Sequence, residues 1–339
     1  MTTDSLRSGL TGVAVIVAIV LTGVLLAPFV SGIEPVGVTQ GGHGGPIDLA
    51  VKDGQQIRTP DTTITVRENI TDATVTEFRG GFLSLQFGTL TWIRPDASTE
   101  VVADEVRTYV VDDTGTRVVW RAGASLVRAE LRNDRLVTAR RTISEVPADA
   151  QPYLLIGDEV VLRRPATGTL GQDGYTAPSF GFVPWGGGET TWPDGVAAVA
   201  GSVLNDAYVL EQVRTTGDQS ARTGCLTYSV APASEPAQQR CDLDLRLDLE
   251  RWSLSPSGRY FGDAAGPADA PYGVLLTVGE NLTDAVWKRG PVPDRAPLWD
   301  GDTMVFTSEK QLYLWRPGRD PAPVDGFDQD TLIPRPFER

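Results

Sequence analysis

Residues 296–319, APLWDGDTMVFTSEKQLYLWRPGR, read as a tight turn and two short strands, and diluted copies of this unit recur along the chain. Asp300-Gly301 makes the turn, because Gly accepts a positive φ and Asp bonds its own backbone. Residues 303–307 and 311–315 are β-rich runs, and Arg316-Pro317-Gly318 ends the second, since Pro has no N–H to give a ladder. Residues 79–95, RGGFLSLQFGTLTWIRP, repeat the order: a Gly turn, two strands closing on Trp92, then Arg94-Pro95. Further copies begin at Asp113-Thr114-Gly115, Gly157-Asp158, Asn205-Asp206 and Pro256-Ser257-Gly258, so the turns recur about every 34 to 52 residues. A period of roughly 40–50 residues, about four strands long, belongs to sheets stacked around an axis, because one such sheet cannot bury its apolar face alone. The expected fold is all-β: a β-propeller of about six blades, with seven as the other count. A β-sandwich, whose strands also alternate with turns, is the rival arrangement.

The run SLSPSGRYF at 253–261 resembles the S-P-[DS]-G-[RK] turn of TolB-like and WD40-like propellers, with a weaker echo in LWDGDTMVF. The resemblance implies architecture, with this turn joining the two inner strands of a blade, and no activity. The WD dipeptide ending is absent, and VDDTGTRVVW sets Trp120 two positions late for an Asp-box.

Residues 11–30, TGVAVIVAIVLTGVLLAPFV, carry no charge over a length that spans a hydrocarbon core. Arg7 precedes them, and Glu34 is the next charge beyond. The positive-inside rule then sets residues 1–10 in the cytoplasm, 11–30 as a signal anchor across the membrane and the remainder outside. A cleavable signal peptide is the competing reading, with cleavage after Gly32; no A-x-A box and no lipidation Cys are present. Residues 31–46 form a Gly-rich linker and 47–339 the propeller ectodomain. In this linker lies the chain's one histidine, His43, read as solvated. Residues 47–66 hold two strand-like runs, expected to complete the last blade and join the chain's two ends.

Cys225 and Cys241 are the only cysteines. In an exported domain they suit one disulfide across neighbouring strands, adding about 3 kcal/mol in the chain-entropy model; two unpaired small hydrophobes are the alternative. The net charge of −14 belongs to the exported part and repels phosphate backbones, which argues against nucleic acid. Asn69-Ile70-Thr71 and Asn281-Leu282-Thr283 match glycosylation acceptors, a tripeptide that chance produces often.

Three stretches stand out along the chain. Arg121, Arg128, Arg132, Arg135, Arg140 and Arg141 make one blade locally basic, either as exposed alternation or as a dock for an acidic partner. Residues 167–194 are dense in Gly, Pro and aromatics, and Tyr175, Phe180, Phe182, Trp185 and Trp192 are the candidate partner-binding residues. The alternative is that these rings plug gaps between irregular blades. CDLDLRLDLE at 241–250 alternates as a strand buried on one side, with Asp242 and Asp244 on a solvated face and not in a calcium loop.

A Ser-His-Asp or Cys-His site needs an imidazole, and residues 47–339 contain none. No phosphate-binding G-x-x-x-x-G-K-[ST] loop is present, and no metal or other cofactor is implied. Carboxylate acid–base chemistry, as in glycoside hydrolysis, remains open, with Asp173 and Glu189 as its candidate pair. Two readings follow: a membrane-anchored extracytoplasmic scaffold binding a protein or cell-envelope polymer, or a carbohydrate-active hydrolase on the same fold.

Overall fold

The computed structural model describes residues 36–139, 146–165, 167, 178–193, 196–202, 207–214, 223–230, 238–240, 254–265, 270–277 and 287–336; for 196–240 the backbone alone is described. Among these residues there are 26 strands in seven antiparallel sheets and no helix. In chain order the sheets cover residues 37–65, 74–103, 106–139, 151–184, 196–240, 260–290 and 298–324. This is a β-propeller.

Six of the sheets carry the six turns read from the repeat, five of them between a sheet's first and second strands and one just before the first strand. Gly80 joins Thr74–Phe78 to Gly81–Gln86, Asp113–Gly115 joins Val106–Val111 to Arg117–Ala122, and Gly157-Asp158 joins Gln151–Ile156 to Glu159–Arg164. Asn205-Asp206 falls between Val196–Ser202 and Ala207–Arg214. The 256–258 turn precedes Tyr260–Ala265 and folds Leu254 back on Phe261, and Gly301 separates Leu298–Asp300 from Thr303–Ser308. The chemistry of the turns accounts for this. Gly301 has φ +57, and Gly81 has φ +124 with its missing Cβ position only 2.0 Å from the Ile93 carbonyl oxygen.

The core is divided among the interfaces between sheets. Phe78 and Trp92 of the second sheet meet Tyr109 and Trp120 of the third, and Val119 and Leu126 of the third meet Val160 and Leu162 of the fourth. Leu275 of the sixth packs on Met304 and Phe306 of the seventh. The tryptophans that close the repeat, Trp92 and Trp315, are fully buried and donate their indole N–H to the Gly80 and Arg319 carbonyls at 2.8 and 3.1 Å. Among the described residues, the apolar clusters thus lie between neighbouring sheets, as the repeat requires.

The seventh sheet is complete in itself, so residues 47–66 do not finish it. They make a sheet of their own, ordered Gly37–Gln40, Thr62–Thr65, Gln56–Arg58, Val51–Asp53, and the C-terminal chain adds its innermost member. Val51 pairs antiparallel with Leu332, Lys52 N donates to Thr331 O and Ile333 N to Ala50 O, both at 2.8 Å. On the other side, Glu77 N of the second sheet donates to Pro334 O at 2.9 Å. The two ends of the chain therefore meet in the first sheet and close the ring.

Three further readings change here. Residues 31–46 are not wholly linker, because Gly37–Gln40 is the outer strand of the first sheet. His43 is half-buried instead of solvated: Gly45 N donates to Nδ1 at 3.2 Å, which puts the proton on Nε2, 2.9 Å from the Leu49 carbonyl oxygen. Its ring stands edge-on to Phe327. The arginine-rich sheet has no continuous basic patch among the described residues. Arg121 is buried on the Gly123, Pro147 and Ala150 carbonyls, Arg132 pairs with Glu130, and Arg135 is exposed. Arg140, Arg141 and the alternating run 241–250 lie outside the described residues. Residues 11–30 also lie outside them, and among the described residues no helix is long and apolar enough to cross a membrane.

Ile333, fully buried between the first two sheets, is the apolar residue of the closing strand. Ile333→Ala is expected to lower unfolding stability by about 2–5 kcal/mol in a urea titration. A loss below about 1 kcal/mol would mean that closure does not depend on this contact.

Candidate functional site

Turns between first and second strands leave one end of the ring, here called the upper end; turns between second and third strands leave the lower end. The inner strands surround an axial cavity lined by Thr76, Tyr109, Tyr153, Leu254, Trp299 and Arg335, which come from five sheets and the closing segment. Its volume is about 40 Å³, room for a water molecule or two. Small-molecule sites run to about 300–1,000 Å³. Tyr109 donates its hydroxyl to the Leu83 carbonyl at 2.8 Å and thereby ties the third sheet to the second across this space.

Several carboxylates of the upper end hold its turns together. Arg335, its side chain 4% exposed, donates to Asp300 Oδ1 at 2.8 Å and faces Asp48 Oδ2 at 3.4 Å. Asp300 Oδ2 also accepts the Asp48 N–H at 2.8 Å. Asp112 is buried and accepts the Thr116 and Arg117 N–H groups, each at 2.9 Å, and the Thr114 hydroxyl. Ser257, in the SPSG turn, donates to Asp302 of the next sheet's turn. Arg79 N donates to Gly115 O at 2.9 Å, and Arg117 Nη1 bonds Gly157 O and Asp158 Oδ1. Turn is thus linked to turn from one sheet to the next. Among the described residues no group of three or more His, Cys, Asp or Glu is placed to hold a metal ion.

The aromatic candidates separate. Phe180 and Phe182 lie on Ser179–Pro184 at 2% and 4% exposure, so they belong to the core and are not available to a partner. The gap-filling alternative holds for these two. Trp185 and Trp192 are half-buried at the surface, around a loop in which Pro184, Gly186, Gly188 and Glu189 are exposed. Trp185 N donates to the Asp158 carbonyl at 2.6 Å, and its ring lies 5.2 Å from the Arg117 guanidinium and 5.0 Å from that of Arg128. The Trp192 ring covers Gly181, where a Cβ would come within 2.7 Å, and Arg164 stands 5.2 Å from it. Arginine beside an indole face is a favourable cation–π arrangement. Arg128 belongs to the locally basic run already read from the sequence, whereas Arg117 and Arg164 were not singled out there; their places on Arg117–Ala122 and Glu159–Arg164 were the available signal.

Tyr175 and Asp173 lie outside the described residues. The stretch that contains them departs from Arg164 and returns at Ser179, which pair at the lower end, whereas Glu189 follows Pro184 at the other end of that strand. Cys225 is on Thr223–Val230 with its side chain undescribed, and Cys241 is outside the described residues. The ladder of that pair ends at Leu226 opposite Arg240.

No protein-family model matches the sequence, and no curated protein matches it. The chain path is similar to solved propellers. TolB from Acinetobacter baumannii is 10% identical over 76% of this chain and 64% of its own, with a TM-score of 0.43. A putative TolB from Agrobacterium tumefaciens is 10% identical over 67% and 83%, at 0.42. The β-propeller domain of Cps50 (Swd1) from Myceliophteria thermophila is 10% identical over 82% and 89%, at 0.44. These likenesses concern the fold alone.

Arg335 joins the closing segment to two carboxylates from opposite ends of the chain. Arg335→Ala leaves Asp300 facing an emptied, largely buried site, and the loss expected in chemical denaturation is about 3–5 kcal/mol. Stability within about 1 kcal/mol of wild type would show that the pair does not hold the ring shut.

Proposed function

We propose that this chain is a membrane-anchored, extracytoplasmic propeller that acts as a scaffold for a protein or a cell-envelope polymer. The observation that carries the reading is the use of the axis. Space there admits water and not a sugar ring, and the upper-end carboxylates Asp48, Asp112, Asp300 and Asp302 are bonded to backbone, arginine or serine. What is left exposed is loop surface along the fourth sheet, chiefly the 184–192 loop, with Trp185 beside Arg117 and Arg128 at the upper end and Trp192 beside Arg164 farther toward the lower end. Trp and Arg are the residues that most often dominate binding energy at interfaces. The anchor rests on the uncharged run 11–30 and on Arg7 before it.

The test is co-purification of partners with the full chain from detergent-solubilised membranes. Trp185→Ala together with Trp192→Ala is expected to reduce recovery of the specific partner about tenfold or more, at unchanged abundance of the chain. Reproducible hydrolysis of glycans by the full chain, lost in Glu189→Gln, would replace the scaffold by a hydrolase.

The same reading places Cys225 and Cys241 in an oxidising compartment. The ladder that pairs Leu226 with Arg240 stops one chain position short of each cysteine, and one more step of the same register would set them opposite. Intact-mass measurement of the membrane-extracted chain is expected to find it two hydrogens lighter than after reduction. Two alkylatable thiols in the unreduced chain would remove the disulfide.

A further inference from the structure

We infer that Phe87 is a lipid-contacting anchor that holds the lower end of the ring against the bilayer surface. The inference rests on the membrane anchoring proposed above and adds an orientation and a contact residue to it.

Phe87 is 95% exposed, the most exposed of the large hydrophobics among the described residues. It sits in a two-residue turn between Gly81–Gln86 and Thr89–Ile93, with φ +48 at Phe87 and +84 at Gly88. That turn favours Asn or Gly at its first position, and a bulky residue held there is strained without any internal packing in return. The tip is nonetheless firmly placed. Val106 N donates to Gly88 O at 2.8 Å, Gln86 Nε2 to Asn69 O at 2.9 Å and Thr89 Oγ1 to Asp104 Oδ1 at 3.0 Å. An aromatic ring on a rigid tip loses little freedom when it meets a surface.

The path of the chain says which surface. Gly37 pairs with Thr65, and the same end of that sheet carries the Gly54-Gln55 turn, where Gln55 O accepts from Val66 N and Gly54 O from Ile70 N. Asn69 in that connection is the residue bonded to Gln86, beside Phe87. The chain therefore enters the first sheet at the lower end, the end from which Phe87 projects out of the neighbouring sheet. Six residues, 31–36, separate the apolar run 11–30 from Gly37, so the entry point can stand no more than about 25 Å from the end of that run. A ring tethered this closely by one end presents that end to the lipid. Interfacial aromatics sit at headgroup depth, where an apolar ring gains from burial. The described lower end is mixed in charge, with Glu68, Asp104, Glu105 and Glu309 against Arg67 and Lys310. The contact is accordingly apolar, suited to a zwitterionic bilayer, and anionic lipid weakens it.

The test uses the full chain in nanodiscs of phosphatidylcholine, with and without brominated acyl chains. Phe87→Trp places a reporter at the tip, and Asp320→Trp places one at the upper end of the seventh sheet, where the aspartate side chain is 98% exposed. The wild-type chain supplies the background of its eight tryptophans. The expected result is a blue shift and loss of emission in brominated lipid for Phe87→Trp and neither for Asp320→Trp. Flotation of the full chain with phosphatidylcholine vesicles reads the anchor separately. Flotation without quenching at position 87, whether through solvent exposure or burial by a partner protein, overturns the Phe87 assignment and leaves the anchor standing. Quenching at position 320 alone overturns the orientation. Failure to float overturns the anchor and the Phe87 contact with it.

Discussion

The structure depends on one insertion: residues 331–335 enter between the inner strands of the first and second sheets. Without them Val51–Asp53 would lack its inner neighbour, and Glu77 would lose its bond to Pro334. Ile333 and Leu332 fill the apolar space on either side, and Arg335 draws in Asp300 and Asp48 above them. Because the apolar clusters of the described residues lie between neighbouring sheets, an open ring would expose two faces to water. Closure converts a row of marginal sheets into one cooperative domain.

The same economy explains the upper end. The turns link to the next sheet through backbone and side-chain bonds alike: Arg79 N to Gly115 O, Arg117 to Asp158, and the buried or part-buried Ser257 to Asp302 and Asp300 to Arg335. Charges spent in this way are not free to act on a substrate. Tyr109 does the equivalent work at the axis, where its hydroxyl is bonded to the second sheet. Among the described residues, the 184–192 loop and hairpin tips such as Phe87 remain exposed at the periphery.

The repeat was legible because it is local. A Gly or Asp-Gly turn followed by β-branched and aromatic runs specifies a hairpin with no reference to the rest of the chain, and five of the six turns fall between first and second strands, the sixth folding Leu254 back on the first strand of its sheet. The aromatic candidates were harder to sort, because a blade is covered on both faces by its neighbours. Phe180 and Phe182 are then as buried as any residue of a central strand, while Trp185 and Trp192, a few positions on, fall in a loop and remain at the surface. Arg121 shows the converse. An arginine in an arginine-rich run reads as solvated, yet it is buried on three backbone carbonyls that come together only in the folded ring.

The sequence by itself determined the turns, the strand runs between them, the repeat that makes the fold all-β and the uncharged stretch before it. These rest on backbone preferences and hydropathy, which act over a few residues. Tertiary structure decided which sheet the chain's ends share, that Gly37–Gln40 is a strand, and that Arg335 meets Asp48 across 287 positions of sequence. No local preference distinguishes those partners from others of the same kind. They are chosen by the number of sheets that pack around the axis before the ring runs out of space, and that number is set only when all the interfaces form together.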